Sequence, residues 1–157
     1  MDLEERAHSE HADALRLWLR MLTCTQLMEK QLRGKLRDAF NTTLPRFDLL
    51  AQLERAPGGL KMRELSQRMM VTGGSITGIT DQLVAEGMVE RSTPDCDRRA
   101  YLVRLTPAGR TNFAAMARDH EEWVVQAFAQ LGSYDIAALH GLLGRVKGSL
   151  QAQPVDP

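Results

Sequence analysis

Leu60–Arg110 reads LKMRELSQRMMVTGGSITGITDQLVAEGMVERSTPDCDRRAYLVRLTPAGR, and this stretch decides the fold. Its first half places apolar residues at helical spacing on both sides of a turn of small residues, which predicts two short amphipathic helices. Its second half alternates apolar and polar residues around a tip rich in Asp and Arg, which predicts a β-hairpin. A helix-turn-helix followed by a hairpin with a basic tip is a shape that reads duplex DNA.

The spacing within this stretch predicts four elements. One helix is expected over Met62–Met69, and a second runs from a cap at Thr72 to about Glu86. Two strands are expected over Met88–Arg91 and Ala100–Leu105. The residues predicted to face inward are Leu65, Met69 and Met70 in the first helix, and Ile76, Ile79, Leu83 and Val84 in the second.

Helices are also predicted on both sides of this stretch. Apolar residues recur every three to five positions over Ala12–Phe40, which predicts one long helix, and a shorter helix follows over Pro45–Arg55. After the hairpin, Thr106 is expected to cap a helix that continues to Leu131. A last helix is expected over Asp135–Leu150.

This order of elements predicts three functional parts. Residues 1–44 form an N-terminal helix that belongs to a dimerisation region, 45–110 form the DNA-binding part, and 111–157 form C-terminal dimerisation helices. The apolar face through Trp123 and Phe128, and that of the last helix, exceed what a local core needs. We therefore expect a second copy of the chain to cover them in a symmetric dimer.

Composition and charge restrict the protein class. The chain has 157 residues, 43% of them hydrophobic, which suits one domain with a helical core. The net charge is zero, although residues 61–110 carry eight basic against six acidic residues. Specific arginines and dimerisation, rather than a strong general field, would therefore supply DNA affinity. The sequence shows neither a membrane-spanning run nor a signal-like N-terminus, so we expect a cytoplasmic protein with no membrane partner.

The chain resembles the MarR family of winged-helix transcriptional regulators. Four motifs carry the resemblance: RFDLLAQLER from Arg46, MRELSQRMMVTGGSITGITDQLVAEGMVER from Met62, DRRAYLVRLT from Asp97, and LTPAGR from Leu105. The resemblance implies a mainly α protein with a small β-hairpin wing (α+β). This fold is a winged helix-turn-helix with N- and C-terminal dimerisation helices, and it binds double-stranded DNA as a homodimer.

The resemblance also implies which residues meet DNA. The helix over Thr72–Leu83 enters the major groove, and the wing tip sends an arginine toward the minor groove. Arg99 is the expected minor-groove residue, held by Asp97, while Arg98 contacts phosphate. Gly78 stands where many family members carry Arg, so base reading falls to small side chains and Gln82. The residues expected to bind DNA are Thr72, Gly74, Ser75, Thr77, Gln82, Asp97, Arg98 and Arg99.

An effector pocket between the dimerisation helices and the DNA-reading part is implied as well. The stretch from Ala14 to Leu50 is similar to members that respond to aromatic acids or their coenzyme A thioesters. Trp18, Leu22, Thr25, Met28 and Phe47 would line an apolar cavity, while Arg16, Arg20 and Arg46 would meet a carboxylate or CoA phosphates. The alternative roles are core packing for the aromatic residues and solvated helix faces for the arginines.

The predicted function is a dimeric repressor of a catabolic or efflux operon. A small aromatic acid or its CoA thioester would release it from a pseudo-palindromic operator. One alternative is a thiol-based redox sensor that uses Cys24, with Cys96 as a further free thiol. Another is an interaction module that does not bind DNA. We expect no enzyme, cofactor or metal site, because catalytic clusters and phosphate loops are missing and His8 with His11 alone makes a poor metal site.

Overall fold

Six helices and three short strands make up the part of the chain that the computed structural model describes, residues 11–70, 75–93 and 101–153. The helices are α1 (Ala12–Phe40), α2 (Leu44–Glu54), α3 (Met62–Arg68), α4 (Ile76–Ala85), α5 (Pro107–Ala127) and α6 (Ser133–Ala152). The strands are β1 (Leu60–Lys61), β2 (Val89–Ser92) and β3 (Leu102–Leu105). The predicted fold class, a mainly helical winged helix-turn-helix, is confirmed.

The predicted hairpin is part of a three-stranded antiparallel sheet of order β1-β3-β2. Val89 pairs with Leu105 between β2 and β3, and Leu60 pairs with Val103 between β1 and β3. The sequence analysis missed β1, because two residues are too few to show an alternating pattern. β1 ties the segment before α3 to the wing, which we define as β2, β3 and residues 93–101 between them.

A leucine-rich core fixes α2 and the helix-turn-helix against the sheet. Each of the helices α1 to α5 and each of the three strands contributes at least one buried residue to this core. The buried apolar residues are Leu36, Leu44, Phe47, Leu49, Leu50, Leu53, Leu60, Leu65, Leu83, Val89, Val103, Leu105, Phe113 and Met116. This core gives α4 and the wing a common support.

Two caps were predicted in this region, and one prediction is confirmed. The Thr106 Oγ1 accepts a hydrogen bond from the Gly109 N–H at 2.9 Å, as expected for a cap of α5. The cap predicted at Thr72 is wrong, because α4 begins later, at Ile76, and Ser75 caps it. Ser75 accepts from the Gly78 N–H at 3.4 Å, while Thr72 lies outside the described residues.

The inward orientation predicted for Met70 is also wrong. Its side chain is 81% exposed. The reason is that α3 ends at Arg68, and Met69 has an extended backbone with φ −59° and ψ 128°. Met70 therefore no longer follows the helical periodicity that the sequence suggested. Helix α5 likewise ends at Ala127, before the predicted end at Leu131.

The chain divides into two compact units, with the boundary between His120 and Glu121. The second unit contains the end of α5 and all of α6, and no residue of α6 is buried. None of the helices in the described segments is both long enough and apolar enough to cross a membrane.

Candidate DNA-binding interface

Helix α4 has one buried face and one polar, exposed face. Thr80 and Leu83 are buried and fix the inner face, with the Thr80 hydroxyl donating to the Ile76 carbonyl at 2.7 Å. The exposed side chains comprise Thr77, Asp81 and Gln82, together with Gly78. Thr80 was missed in the sequence analysis, because a threonine among apolar positions reads as part of the polar face. The exposed face has the residue types that hydrogen-bond base edges and phosphates.

A buried carboxylate on α2 holds the residues that directly follow α3. Asp48 accepts hydrogen bonds from the Met70 N–H at 2.7 Å and from the Gln52 amide at 3.1 Å. Its own side chain is buried. Asp48 therefore fixes the backbone at Met70, just after the end of α3. The sequence signal for this role was an acidic residue within the otherwise apolar run of α2, and the sequence analysis did not use it.

The wing is linked to α4 by an ion pair. Arg91 on β2 donates to the Asp81 carboxylate on α4, and its guanidinium carbon lies 5.5 Å from the centre of the Tyr101 ring. The hydrogen bond to Asp81 raises the pKa of Arg91, so its charge is retained. On the two paired strands, Arg104 donates to Glu90 at 2.5 Å. Asp81 thus joins α4 to the wing.

A second cluster joins α4 to the start of α2. Arg46 donates from Nε to the Thr42 hydroxyl at 3.2 Å and from one terminal nitrogen to the Gln82 Oε1 at 3.3 Å. Its other terminal nitrogen pairs with Glu86. The Arg46 side chain is only 17% exposed. A residue expected to bind effector and one expected to bind DNA are therefore in direct contact.

Beside this cluster lies a cavity of about 270 Å³. Its lining is mixed and comes from α1, α2, α4, α5 and the segments between them. The lining residues are Phe40, Asn41, Thr42, Arg46, Leu50, Leu83, Glu86, Met88, Asn112 and Met116. Its wall carries the Arg46 guanidinium together with the Glu86 carboxylate that pairs with it.

The other residues expected to bind effector lie elsewhere. Phe47 is buried in the core, with ring centres 5.4 Å from Phe113 and 4.6 Å from His120, and burial lowers the pKa of His120. Trp18 on α1 is 55% exposed. At 1.5 Å rise per residue, Trp18 lies about 33 Å along the helix axis from Phe40. The structure of one protomer therefore does not bring Trp18 to the cavity at Arg46.

The remaining predicted residues of α1 share this remote position. Arg16, Arg20 and Thr25 are exposed, and Leu22 and Met28 are half-buried. Cys24 is exposed on the same helix. Across the residues that the structure describes, no group of three or more His, Cys, Asp or Glu side chains could hold a metal ion.

Several predicted DNA-binding residues lie outside the part of the chain that the structure describes. They are Thr72, Gly74, Asp97, Arg98 and Arg99, and Cys96 lies outside it as well. Of the predicted set, the structure describes Ser75, Thr77 and Gln82, all on α4 or at its cap and all exposed. Ser75 and Gln82 lie seven residues apart and therefore on the same side of the helix, while Thr77 lies at the opposite edge of the exposed surface.

Comparison with known proteins agrees with this arrangement. Residues 40–100 match a protein-family model described as the MarR family. The chain is 26% identical over 105 residues to the uncharacterized HTH-type transcriptional regulator YdgJ of Bacillus subtilis, covering 67% of this chain. The match covers 63% of YdgJ, so the chain spans slightly less than two thirds of the length of that relative. It is 28% identical over 150 residues to a putative transcriptional regulatory protein for the hcr operon of Thauera aromatica, covering 92% and 86% of the two chains.

Solved structures show the same architecture. A MarR family transcriptional regulator from Silicibacter pomeroyi has a TM-score of 0.77 at 28% identity, covering 91% of this chain and 99% of that one. A MarR variant from Escherichia coli, complexed with operator DNA, has a TM-score of 0.73 at 24% identity, covering 88% and 99%. The second likeness concerns the fold alone. These relatives and structural neighbours are transcriptional regulators, not enzymes.

Proposed function

We propose that this chain is a dimeric repressor that an acidic effector releases from DNA. The family model and the structural neighbours support the broader role, that of a MarR-type DNA-binding transcriptional regulator. The observation that carries the proposal is the polar face of α4, which an ion pair between Asp81 and Arg91 connects to the wing. A helix and a hairpin held at a fixed separation fit a major groove and the adjacent minor groove.

For DNA recognition, we propose two sets of contacts. Thr72, Gly74, Ser75, Thr77 and Gln82 would meet phosphates and base edges of the major groove. Asp97, Arg98 and Arg99 would act at the wing tip, with Arg99 in the minor groove. Because Gly78 supplies no side chain to the first turn of α4, the wing would contribute a large share of the affinity. A protein with this role would act in the cytoplasm, together with the DNA that it binds.

A binding assay with Arg99→Ala tests this proposal. The probe is a labelled duplex from the promoter region of the gene itself, and fluorescence anisotropy gives the affinity at several salt concentrations. We expect a loss of about tenfold or more at each salt concentration, because the variant removes the cation that the negative potential of a narrow minor groove attracts. Arg118→Ala is the control, since it removes the same charge from an exposed position on α5. Equal affinities of the Arg99 and Arg118 variants would refute the wing assignment, and absence of DNA binding by the wild type would favour an interaction module.

For the dimer, the supporting feature is a continuous apolar face on α6. Five residues at alternating spacings of three and four share this face, and each is between 38% and 64% exposed. They are Ile136, Leu139, Leu143, Val146 and Leu150. This spacing is typical of helices that pack along a seam with a partner helix. A monomer rarely leaves such a face in water, so we propose that a second copy covers it.

Sedimentation velocity tests the dimer. Leu143→Glu places a carboxylate on the apolar face, and we expect it to convert the dimer to a monomer at micromolar concentration. Ala137→Glu adds the same carboxylate to the opposite face of α6 and serves as the control. A wild-type monomer, or a Leu143 variant that remains dimeric, would contradict the proposed interface.

For the effector, we propose a small aromatic acid or its CoA thioester. Arg46 and the cavity beside it would receive the carboxylate in one protomer. Arg16, Trp18, Arg20, Leu22, Thr25 and Met28 of α1 would contribute through a site that the dimer completes. A ligand that favours the non-binding arrangement must weaken DNA affinity, and DNA must weaken ligand affinity by the same factor.

A thermal-shift screen with benzoate-type acids and their CoA thioesters, followed by DNA release, tests the effector class. Reciprocal weakening is expected, and a ligand that stabilises the protein without affecting DNA binding would contradict the proposal. Since Cys24 is exposed, a thiol sensor is the second candidate. Release from DNA by hydrogen peroxide in the wild type but not in Cys24→Ser would favour it.

A further inference from the structure

The contact between Arg46 and Gln82 constrains the chemistry that Gln82 presents to solvent. A guanidinium carries only donors, so a glutamine amide that bonds to it must offer its carbonyl oxygen. In the structure, the Gln82 Oε1 accepts from Arg46 at 3.3 Å. The amide nitrogen is then the end of the side chain that remains for another partner. This orientation follows from the chemistry of the two groups and from their contact.

Two further contacts prevent Arg46 from rotating away. Thr42 accepts from Nε at 3.2 Å, and Glu86, the residue that caps the end of α4, pairs with a terminal nitrogen. The guanidinium therefore links the segment before α2 to the C-terminal end of α4. Its low exposure also limits the alternative rotamers that are open to it. Arg46 holds Gln82 rather than reaching the DNA itself.

We propose that Arg46 is a positioning residue that sets the base preference of Gln82. This inference rests on the proposed role of α4 in the major groove. A glutamine that reads adenine uses both its carbonyl oxygen and its amide nitrogen, toward N6 and N7. With the oxygen held toward Arg46, Gln82 directs the two donors of its amide nitrogen away from Arg46. Guanine presents two acceptors in the major groove, N7 and O6, so a Gln82 held in this way prefers guanine to adenine.

Selection of binding sites from a randomised duplex library tests this inference without a known operator. The position read by Gln82 is the one at which Gln82→Ala abolishes the preference that the wild type shows. At that position the wild type is expected to prefer guanine. Arg46→Met keeps a long side chain but removes the guanidinium donors. The Gln82 amide is then free to rotate. We expect the ratio of guanine to adenine affinity at this position to fall about tenfold, within the range of one bidentate base contact.

Three further variants separate positioning from charge and from stability. Arg46→Lys retains a donor and should retain the guanine preference. Arg37→Ala removes an exposed charge from α1 and should leave the order of bases unchanged. In a Gln82→Ala background, Arg46→Met should no longer change the preference at this position. A purely structural role of Arg46 would instead lower the affinity for every sequence, in the Gln82→Ala background as well.

The possible outcomes are distinct. An unchanged preference in a folded Arg46→Met variant, or an adenine preference of the wild type at the Gln82 position, would overturn the inference and leave the proposed function intact. The inference would also be overturned if Gln82→Ala left every base preference of the wild type unchanged. If Arg46→Met does not fold, the base that the wild type prefers at the Gln82 position still tests the inference, since guanine supports it and adenine overturns it. Failure of the wild type to select any sequence would overturn the proposed function itself.

Discussion

Replacing Gly109 by Ala should destabilise the protein, because α5 begins in direct contact with the backbone that precedes β2. A Cβ on Gly109 would lie 1.9 Å from the Met88 carbonyl oxygen and 2.8 Å from its carbon. Both atoms are backbone, so no side-chain rotation relieves the overlap. Separating them to an ordinary contact distance requires the start of α5 to move by more than about 1 Å. Gly109 is thus the glycine that the LTPAGR motif needs.

The magnitude follows from the contacts that this movement breaks. The Thr106 N–H donates to the Met88 carbonyl at 3.1 Å, and the Thr106 hydroxyl donates to the Gly87 carbonyl at 2.6 Å. Each of these hydrogen bonds contributes about 1 kcal/mol. Forced displacement of a packed element adds about 1 kcal/mol or more. We therefore expect Gly109→Ala to lower the free energy of unfolding by about 3 kcal/mol.

Urea denaturation at a fixed protein concentration measures this change, since the stability of a dimer depends on concentration. The matched control is Gly78→Ala on α4, where the nearest atom to an added Cβ is the Ser75 Cβ at an ordinary 3.8 Å. Alanine is the better helix former there, so the control should gain up to about 1 kcal/mol. A loss below about 1 kcal/mol for the Gly109 variant, or equal losses for both variants, would refute the reasoning.

Three further changes have defined outcomes. Asp48→Asn should lower the free energy of unfolding by about 1–2 kcal/mol in urea denaturation, because the buried carboxylate accepts from the Met70 N–H; an unchanged value would contradict the role assigned to it. Thr80→Val should change the free energy of unfolding by less than about 1 kcal/mol, since the Ile76 carbonyl keeps its helical hydrogen bond. A larger loss would contradict this minor role of the Thr80 hydroxyl. Burial lowers the pKa of His120, so stability should fall as pH drops from the ordinary histidine range through the lowered pKa, and His120→Leu should reduce that dependence in denaturation series against pH.

Much of the fold follows from local patterns in the sequence. The spacing of apolar residues predicted α1 with its observed bounds, and Thr106 with Pro107 marked the start of α5 correctly. Patterns that span only a few residues were less informative. β1 has two residues, and the place where α3 stops depends on how Asp48 binds the Met70 N–H. Such contacts join residues far apart in the chain, which periodicity cannot register.

The candidate interface shows the same division. The sequence predicted that Gln82 lies on the DNA-reading helix and that Arg46 is a functional arginine. It did not predict their contact, nor that Asp81 pairs with Arg91 of the wing. Each residue type can be assigned a plausible role alone. Which donor meets which acceptor depends on how α2, α4 and the wing pack together.

The sequence by itself determined the fold class, the helix-turn-helix, the hairpin and the family resemblance, because these depend on local propensity and periodicity. The tertiary structure decided which polar groups on those elements are already engaged. It directs Asp81 to the wing and Arg46 to Gln82, and it leaves the apolar face of α6 exposed. The physical reason is that hydrogen bonds and ion pairs need atoms within about 3 Å at defined angles, and only packing brings distant residues to that distance.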